Sequence, residues 1–390
     1  MKNIIPIILL LCLSFGSHAQ NRYQWVLDLA KDQGIQLQQL QQEREAAMYT
    51  IQSTPILDQP EIEFGHFWGA PTEIGNRWDL SVSQTFPFPT TWVHEAKARK
   101  LEAESSQLHY DVETQQLLGE IQQLCCNLVY CNAAVKIYSR CATTSQEIAE
   151  TYAKRMEAGD CNILEFNRAQ MDFATQQSKL NKALAEQASL LQQLQLVAPN
   201  ESVSFTQDQY EPIVLPDFET LLSDIKQYDS RYAYFAGQEA LAQEEVKVAQ
   251  SQWLPDLSLG YASETVTGEA FRGVTIGARL NLWNNRNKTR TAKASLSAIQ
   301  SSTTTNEQQL HNYYASLYQK ALSLQENLQK LQQTYQSNNS LALLKKALDA
   351  GEISLEQYLL SVDCYNDAEL SILETQHDLE ETYLRLMVIK

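Results

Sequence analysis

Arg77-Trp78-Asp79-Leu80-Ser81-Val82-Ser83-Gln84-Thr85-Phe86 alternates strictly between two faces. Trp78, Leu80, Val82, Gln84 and Phe86 fall on one side; Arg77, Asp79, Ser81, Ser83 and Thr85 fall on the other. A second stretch repeats the pattern, with Val274, Ile276, Ala278, Leu280 and Leu282 alternating with Thr275, Gly277, Arg279 and Asn281. Each is preceded by a looser match, so strands are expected over 61–69 and 77–88 and again over 255–264 and 271–283. Strands of roughly nine to eleven residues with one apolar and one polar face suit a tilted strand crossing an outer membrane. Strand pattern alone also fits half of a soluble sandwich. Tryptophan favours the membrane: Trp68, Trp78, Trp92, Trp253 and Trp283 lie within or just beyond the strands, where an interfacial girdle places amphipathic rings. Four strands cannot close a membrane barrel, and an open edge cannot persist in lipid. The chain is therefore expected to share its barrel with copies of itself, two giving eight strands and three giving twelve.

Outside the strands, proline and glycine are conspicuous by position. None of the ten prolines falls between 90 and 198 or after 255, and those windows hold only Gly119 and Gly159 in the first and, beyond 277, Gly351 in the second. Proline breaks helix interiors and a lone glycine often caps a helix end. The spacing predicts a long helix over 94–158, a turn at Gly159 and a shorter helix over 163–197. It predicts the same again over 287–350, Gly351 and 355–388. Each long arm would measure roughly 95 Å. Leu117, Ile121, Leu124, Leu128, Cys131 and Val135 alternate three- and four-residue steps, as do Leu317, Ala321, Leu324, Leu328, Leu331 and Tyr335, which is a coiled-coil seam. Further helices are expected at about Tyr23 to Ile51 and Phe218 to Gln252. A shift of 192 lays Gly159-Asp160-Cys161-Asn162 on Gly351-Glu352-Ile353-Ser354, so the chain reads as two structural repeats, 20–198 and 217–390, joined by the linker 199–216 with its three prolines.

Residues 1–19 read as a secretory signal peptide: Lys2, an apolar core from Ile4 to Phe15 and a small-x-small site ending at Ala19. Cys12 lacks the preceding small residue of a lipidation site. The net charge of −17 argues against nucleic acid, whose binding needs a basic face. Cys125, Cys126, Cys131, Cys141, Cys161 and Cys364 read as small buried thiols, since cysteines along one straight helix mostly cannot reach each other.

The doubled order of helix, strand pair, long helix, glycine turn and short helix resembles the TolC family of outer-membrane efflux ducts over essentially the whole mature chain. The strand exits Gln84-Thr85-Phe86-Pro87-Phe88 and Leu280-Asn281-Leu282-Trp283 and the Ala-Gly-Asp and Ala-Gly-Glu turns carry the resemblance. It implies a mixed α/β membrane protein: a long antiparallel α-helical coiled-coil barrel, with four β-strands per chain joining a homotrimeric twelve-stranded transmembrane barrel in outer-membrane lipid. It also implies a periplasmic adaptor protein and an inner-membrane pump as partners. The run Pro60-Glu61-Ile62-Glu63-Phe64 and the compact C-terminus look like the heavy-metal cation efflux branch.

Gly159, Asp160, Gly351 and Glu352 are the expected adaptor-docking tips, because turns at the far ends of the arms are free surface. The acidic gate positions of some family members, six and nine residues after the second tip glycine, are Gln357 and Leu360 here, and the basic latch position is Ile353. Candidate lumen or gate acids are instead Glu165, Glu356 and Asp363, since one inward carboxylate per chain makes a ring that favours cations. No catalytic, cofactor-binding or metal-ligating residue is expected: no HExxH, GxSxG or GxxxxGK motif occurs, and the methionines form no cluster. Two other readings stay open at this point, a periplasmic adaptor with a long hairpin and an outer-membrane duct for type I secretion.

Overall fold

The computed structural model describes residues 22–55, 57–199, 203–266, 268–281, 285–338 and 341–387. The signal peptide 1–19, Cys12, Leu282 and Trp283 lie outside the described residues. The chain begins with α1 (Gln24–Gln33) and α2 (Ile35–Ser53), followed by β1 (Glu61–Phe67) and β2 (Arg77–Phe86). It then runs through α3 (Pro89–Glu157), α4 (Ile163–Val197), α5 (Phe218–Tyr228) and α6 (Ser230–Ser251). The second strand pair, β3 (Asp256–Val266) and β4 (Glu269–Arg279), leads into α7 (Asn285–Asn338), α8 (Leu341–Asp349) and α9 (Leu355–Leu386). Each half thus has two short helices, two strands, a long helical arm and a returning helix.

The long helix expected over 287–350 is described as α7 and α8, with 339–340 outside the described residues, and two other expected helices are each divided. Over 23–51 the division is at Gly34, whose extended backbone (φ −66°, ψ 120°) caps α1 and starts α2. A Cβ there would stand 2.4 Å from the Ala30 carbonyl oxygen, so glycine alone fits this corner without a shift. Over 218–252 the division is at Asp229, whose side chain accepts from the Arg231 amide at 3.0 Å and so caps α6. α3 starts at Pro89 rather than at 94, because proline at the first helical position gives up only an amide that would be unpaired anyway.

The strands form one antiparallel sheet in the order β1-β2-β3-β4. β2 pairs with β3 over its full length, from Arg77 opposite Val266 to Phe86 opposite Leu257, so the two repeats meet at the middle of the sheet. Register places Ile62 beside Val82 and Tyr261, and Tyr261 beside Val274. Phe64, Leu80, Leu259 and Ile276 continue the same face. That apolar face is open: Phe64, Leu80, Leu259, Val274 and Ile276 are all exposed, Ile276 at 84%. The opposite face carries Ser81, Ser83, Thr85, Ser258, Gly260, Thr275 and Gly277, and it is close-packed at Gly260 and Gly277. A Cβ on Gly260 would lie 2.7 Å from Thr275 Oγ1 and 2.8 Å from the Val82 carbonyl oxygen.

The helices form a row hung from the sheet. Near the strands the packed pairs run α2, α3, α6, α7; toward the far turns they run α4, α3, α9, α7. The core is a chain of separate clusters along this row. Leu27, Leu128, Val129, Cys125, Cys126 and Leu194 are fully covered in the first half, and Ile225, Tyr314, Ala321 and Leu386 in the second. The expected seam is present within a wider stripe: Ile121, Leu128 and Cys131 are buried, Leu117 and Leu124 pack against them, and Val135 is half-buried. Cys125, Cys126, Cys131 and Cys141 are buried free thiols, Cys161 is half-buried and Cys364 is exposed. Burial pushes the Cys125 thiol up to about 12, so it is inert as a nucleophile.

Candidate functional site

The two turns at the ends of the arms are built alike. α3 ends on Ala158 and a left-handed Gly159 (φ 77°); the Gly159 amide donates to the Met156 carbonyl at 3.2 Å and the Asp160 amide to the Arg155 carbonyl at 2.8 Å. α8 ends on Ala350 and Gly351 (φ 72°), with the same two bonds to Leu348 and Ala347 at 3.0 and 2.9 Å. Only glycine adopts that backbone freely, and the paired bonds satisfy carbonyls that would otherwise be orphaned. The chain re-enters a helix three residues later in both copies through a capping box. The Asn162 side chain accepts from the Glu165 amide while the Glu165 carboxylate accepts from the Asn162 amide; Ser354 and Gln357 repeat the exchange. Asp160 and Glu352 are exposed between cap and box. Ala149, Tyr152 and Ala169 of one hairpin pack with Leu355, Tyr358 and Leu359 of the other, so the turns sit on a joint apolar plug.

The three candidate acids occupy different surroundings. The Glu165 carboxylate is turned back onto its own helix start by the capping box. Glu356 is exposed in the first turn of α9. Asp363 lies two turns further along, half-buried at the seam with α4, where Gln176 reaches both it and Asp172 at 3.5 and 3.4 Å. Burial there, and the neighbouring Asp172 carboxylate, raise the Asp363 carboxyl above the ordinary aspartate range. A cavity of about 250 Å³ opens beside it, lined by Arg140, Ser145, Tyr358 and Asp363 among others. The signal for the Glu165 arrangement was present in the sequence as Asn-x-x-Glu and its repeat Ser-x-x-Gln.

Four of the described tryptophans divide between the two ends of the sheet, while Trp25 lies in α1. Trp68 (79% exposed) follows β1 and Trp78 starts β2, both at the hairpin end. Trp92 and Trp253 (49% and 53% exposed) sit in the first turn of α3 and just before β3, at the helix end. Phe67 and Phe271 do not join the apolar face: register puts them opposite Arg77 and Glu264 on the polar side. The Arg77 guanidinium lies 5.4 Å over the Phe67 ring, a cation–π contact that the alternation pattern alone did not reveal.

Where sheet meets helices, Glu244 of α6 holds the repeats together. Its residue is 2% exposed, yet it is ringed by His94 Nδ1 at 2.7 Å, Lys97 Nζ at 3.1 Å and Lys247 Nζ at 3.0 Å. Burial alone would raise its carboxyl, but the hydrogen bonds from His94, Lys247 and Lys97 outweigh it and hold the group at about 2. A carboxylate whose folded-state value is depressed contributes stability above its ordinary value, and loses it as pH falls toward the depressed one. Because both lysines remain open to water, Glu244→Gln is expected to cost about 1–2 kcal/mol at neutral pH. In denaturant unfolding followed by the helical signal, that gap between wild type and variant should shrink as pH drops below about 4.5 and vanish near about 2. An unchanged gap at low pH would place the stabilisation elsewhere.

The sequence model of the outer membrane efflux protein family matches residues 26–198. No curated protein matches the chain. Among solved structures, the chain is similar to the CusC channel-forming protein, with 14% identity and a TM-score of 0.77, covering 93% of this chain and 90% of that one. It is similar to the MtrE outer membrane channel of Neisseria gonorrhoeae, with 15% identity and a TM-score of 0.74, covering 94% and 88%. It is also similar to the CmeC outer membrane channel of Campylobacter jejuni, with 14% identity and a TM-score of 0.71, covering 93% and 84%. At such identities the likeness is one of fold.

Proposed function

We propose, from the match of the outer membrane efflux protein family model to residues 26–198, that three copies assemble into one duct whose shared barrel has twelve strands. Each copy is an exit duct component of the outer membrane with a helical periplasmic extension, serving tripartite efflux. The observation that carries the trimeric reading is the sheet. It exposes an apolar face while its edge strands β1 and β4 have no partner within the described residues. Lipid satisfies the face but not the edges, so β4 of one copy must pair with β1 of the next until the ring closes. The divided tryptophans support two interfacial girdles, Trp68 and Trp78 outside and Trp92 and Trp253 on the periplasmic side. The exposed apolar sheet and the family together favour a duct over an adaptor protein.

The work of such a protein is passive: it offers a wetted path and opens when partners engage it. We assign Gly159, Asp160, Gly351 and Glu352 to docking of a periplasmic adaptor that couples the duct to an inner-membrane pump. Two matching turns on one apolar plug support that assignment, because they offer a repeated, rigid and exposed edge. Of the candidate acids, Glu356 is best placed for a lumen ring, whereas the capping bond of Glu165 and the seam position of Asp363 suit them to shaping the turn and the contact between hairpins. The run Pro60–Phe64 supports a heavy-metal cation cargo, and growth of a deletion strain across metals, bile salts and dyes decides it. The decisive measurement is outer-membrane fractionation with heat-modifiable migration. A trimer in the outer membrane is expected, and a soluble periplasmic monomer would overturn the duct. With assembly intact, Asp160→Trp combined with Glu352→Trp is expected to abolish adaptor co-purification and efflux; unchanged efflux would overturn only the docking assignment.

A further inference from the structure

We propose that His377, Asp378 and Glu381 bind one borderline divalent cation of the cobalt, nickel or zinc class on the flank of α9. One ligand atom from each of these residues lies within 4.8 Å of the others. Positions four apart share a helix face and Asp378 adjoins it, so a single helix presents all three donors. Imidazole with two carboxylates favours these metals over calcium or magnesium, which take all-oxygen shells.

The surroundings fix the histidine in a ligating form. His377 Nε2 lies 2.9 Å from Asn127 Oδ1 on α3, and that oxygen also accepts from Gln123 Nε2 at 3.5 Å. An oxygen acceptor opposite Nε2 requires the imidazole to donate there, which leaves the Nδ1 lone pair on the side of Asp378, whose Oδ1 is 3.6 Å away. Orientation of a ligating histidine through its other nitrogen is the usual outer support of a metal centre. The ring is further held by Tyr130 at 5.1 Å and by Tyr210 of the linker at 6.5 Å. Glu381 uses Oε1 for Arg385 and keeps Oε2 for an ion. His377 and Glu381 are half-buried and Asp378 is exposed, so an ion can enter from water and retain water in its remaining positions. A bound ion would lock His377 against Asn127 and with it the contact of α9 on α3. The signal in the sequence was His-Asp-x-x-Glu, which a search for histidine pairs passes over.

Cobalt(II) added to the full chain, purified as its detergent-solubilised assembly, tests the site. About one ion per chain is expected, with a visible ligand-field spectrum and without the near-ultraviolet thiolate charge-transfer band that binding at cysteine would give. Cys364→Ser should leave binding unchanged. Asp378→Asn, an exposed change that leaves the fold alone, and His377→Ala should each weaken binding at least about tenfold; Asn127→Ala should weaken it by about 10- to 100-fold through loss of ring orientation. Absence of binding in the wild type, a thiolate band, or equal affinity in Asp378→Asn and His377→Ala would each overturn the site.

Discussion

Ile276→Arg is expected to remove the protein from the outer membrane as a stable trimer, whereas Ser81→Arg is expected to leave it there. Ile276 lies within β4 on the exposed apolar face, opposite Leu259. An arginine on the lipid face near the bilayer midplane costs about 2–4 kcal/mol. In a closed ring of three copies that cost is incurred once per chain, and β4 is also the edge that must pair with a neighbour. A penalty at each junction therefore opposes closure as well as insertion. Ser81 is the matched control because it lies on the same sheet but on the polar face, in register with Glu63 and Ala262. An arginine there meets water and a carboxylate across the strand, which is neutral to favourable. Heat-modifiable migration of outer-membrane fractions reads both variants. If the two behave alike, the face assignment fails, and with it the view of the sheet as a lipid-facing barrel segment.

That pair of variants also isolates what was legible in the sequence. The alternation at Arg77–Phe86 has period two, so register alone decides which side each residue takes, and the apolar side could be named before any coordinates. What alternation cannot supply is the identity of neighbours across strands, such as the Arg77 guanidinium over the Phe67 ring on the polar face. The long arms were legible because proline is absent and glycine marks the turns. Breaks at Gly34 and Asp229 were not, because each interrupts a helix for a single residue while the apolar pattern continues on both sides. The candidate acids show the sharper limit. Glu165 was chosen by its distance from a glycine, but its carboxylate is committed to a local bond with Asn162. Asp363 was chosen by proximity to the turn and lies in a contact between helices that are far apart in sequence. Local bonds of the capping-box kind can be read from spacing, and long-range contacts such as Gln176 with Asp363 cannot.

Asp229→Ala is expected to lower unfolding stability by about 3 kcal/mol. Asp229 is 3% exposed and makes three kinds of interaction at the corner between α5 and α6. It caps α6 through the Arg231 amide, pairs with the Arg231 guanidinium (Nη2 to Oδ2 2.7 Å), and accepts from the Tyr314 hydroxyl of α7 at 2.9 Å. A cap contributes about 1 kcal/mol, and a hydrogen bond to a charged group about 1.5–3 kcal/mol. Removal also strands a partly covered guanidinium, because Arg231 would keep only Tyr314 at 2.7 Å. These terms share partners, so they do not add in full, and about 3 kcal/mol is the balance. The corner is more than a local brace: the Gln115 side chain of α3 accepts from the Ser230 amide at 3.0 Å, so loss of the corner loosens α6 from both long arms. Tyr314→Phe alone should cost about 1 kcal/mol, and the same change made in Asp229→Ala should have a different cost, since the bond to Asp229 is already gone while the Tyr314 hydroxyl is then the remaining partner of Arg231. Denaturant unfolding of the four species, read by the helical signal, gives the coupling directly. Full additivity would mean that Asp229 and Tyr314 act independently, and the coupling of the corner to α7 through Tyr314 would then fail.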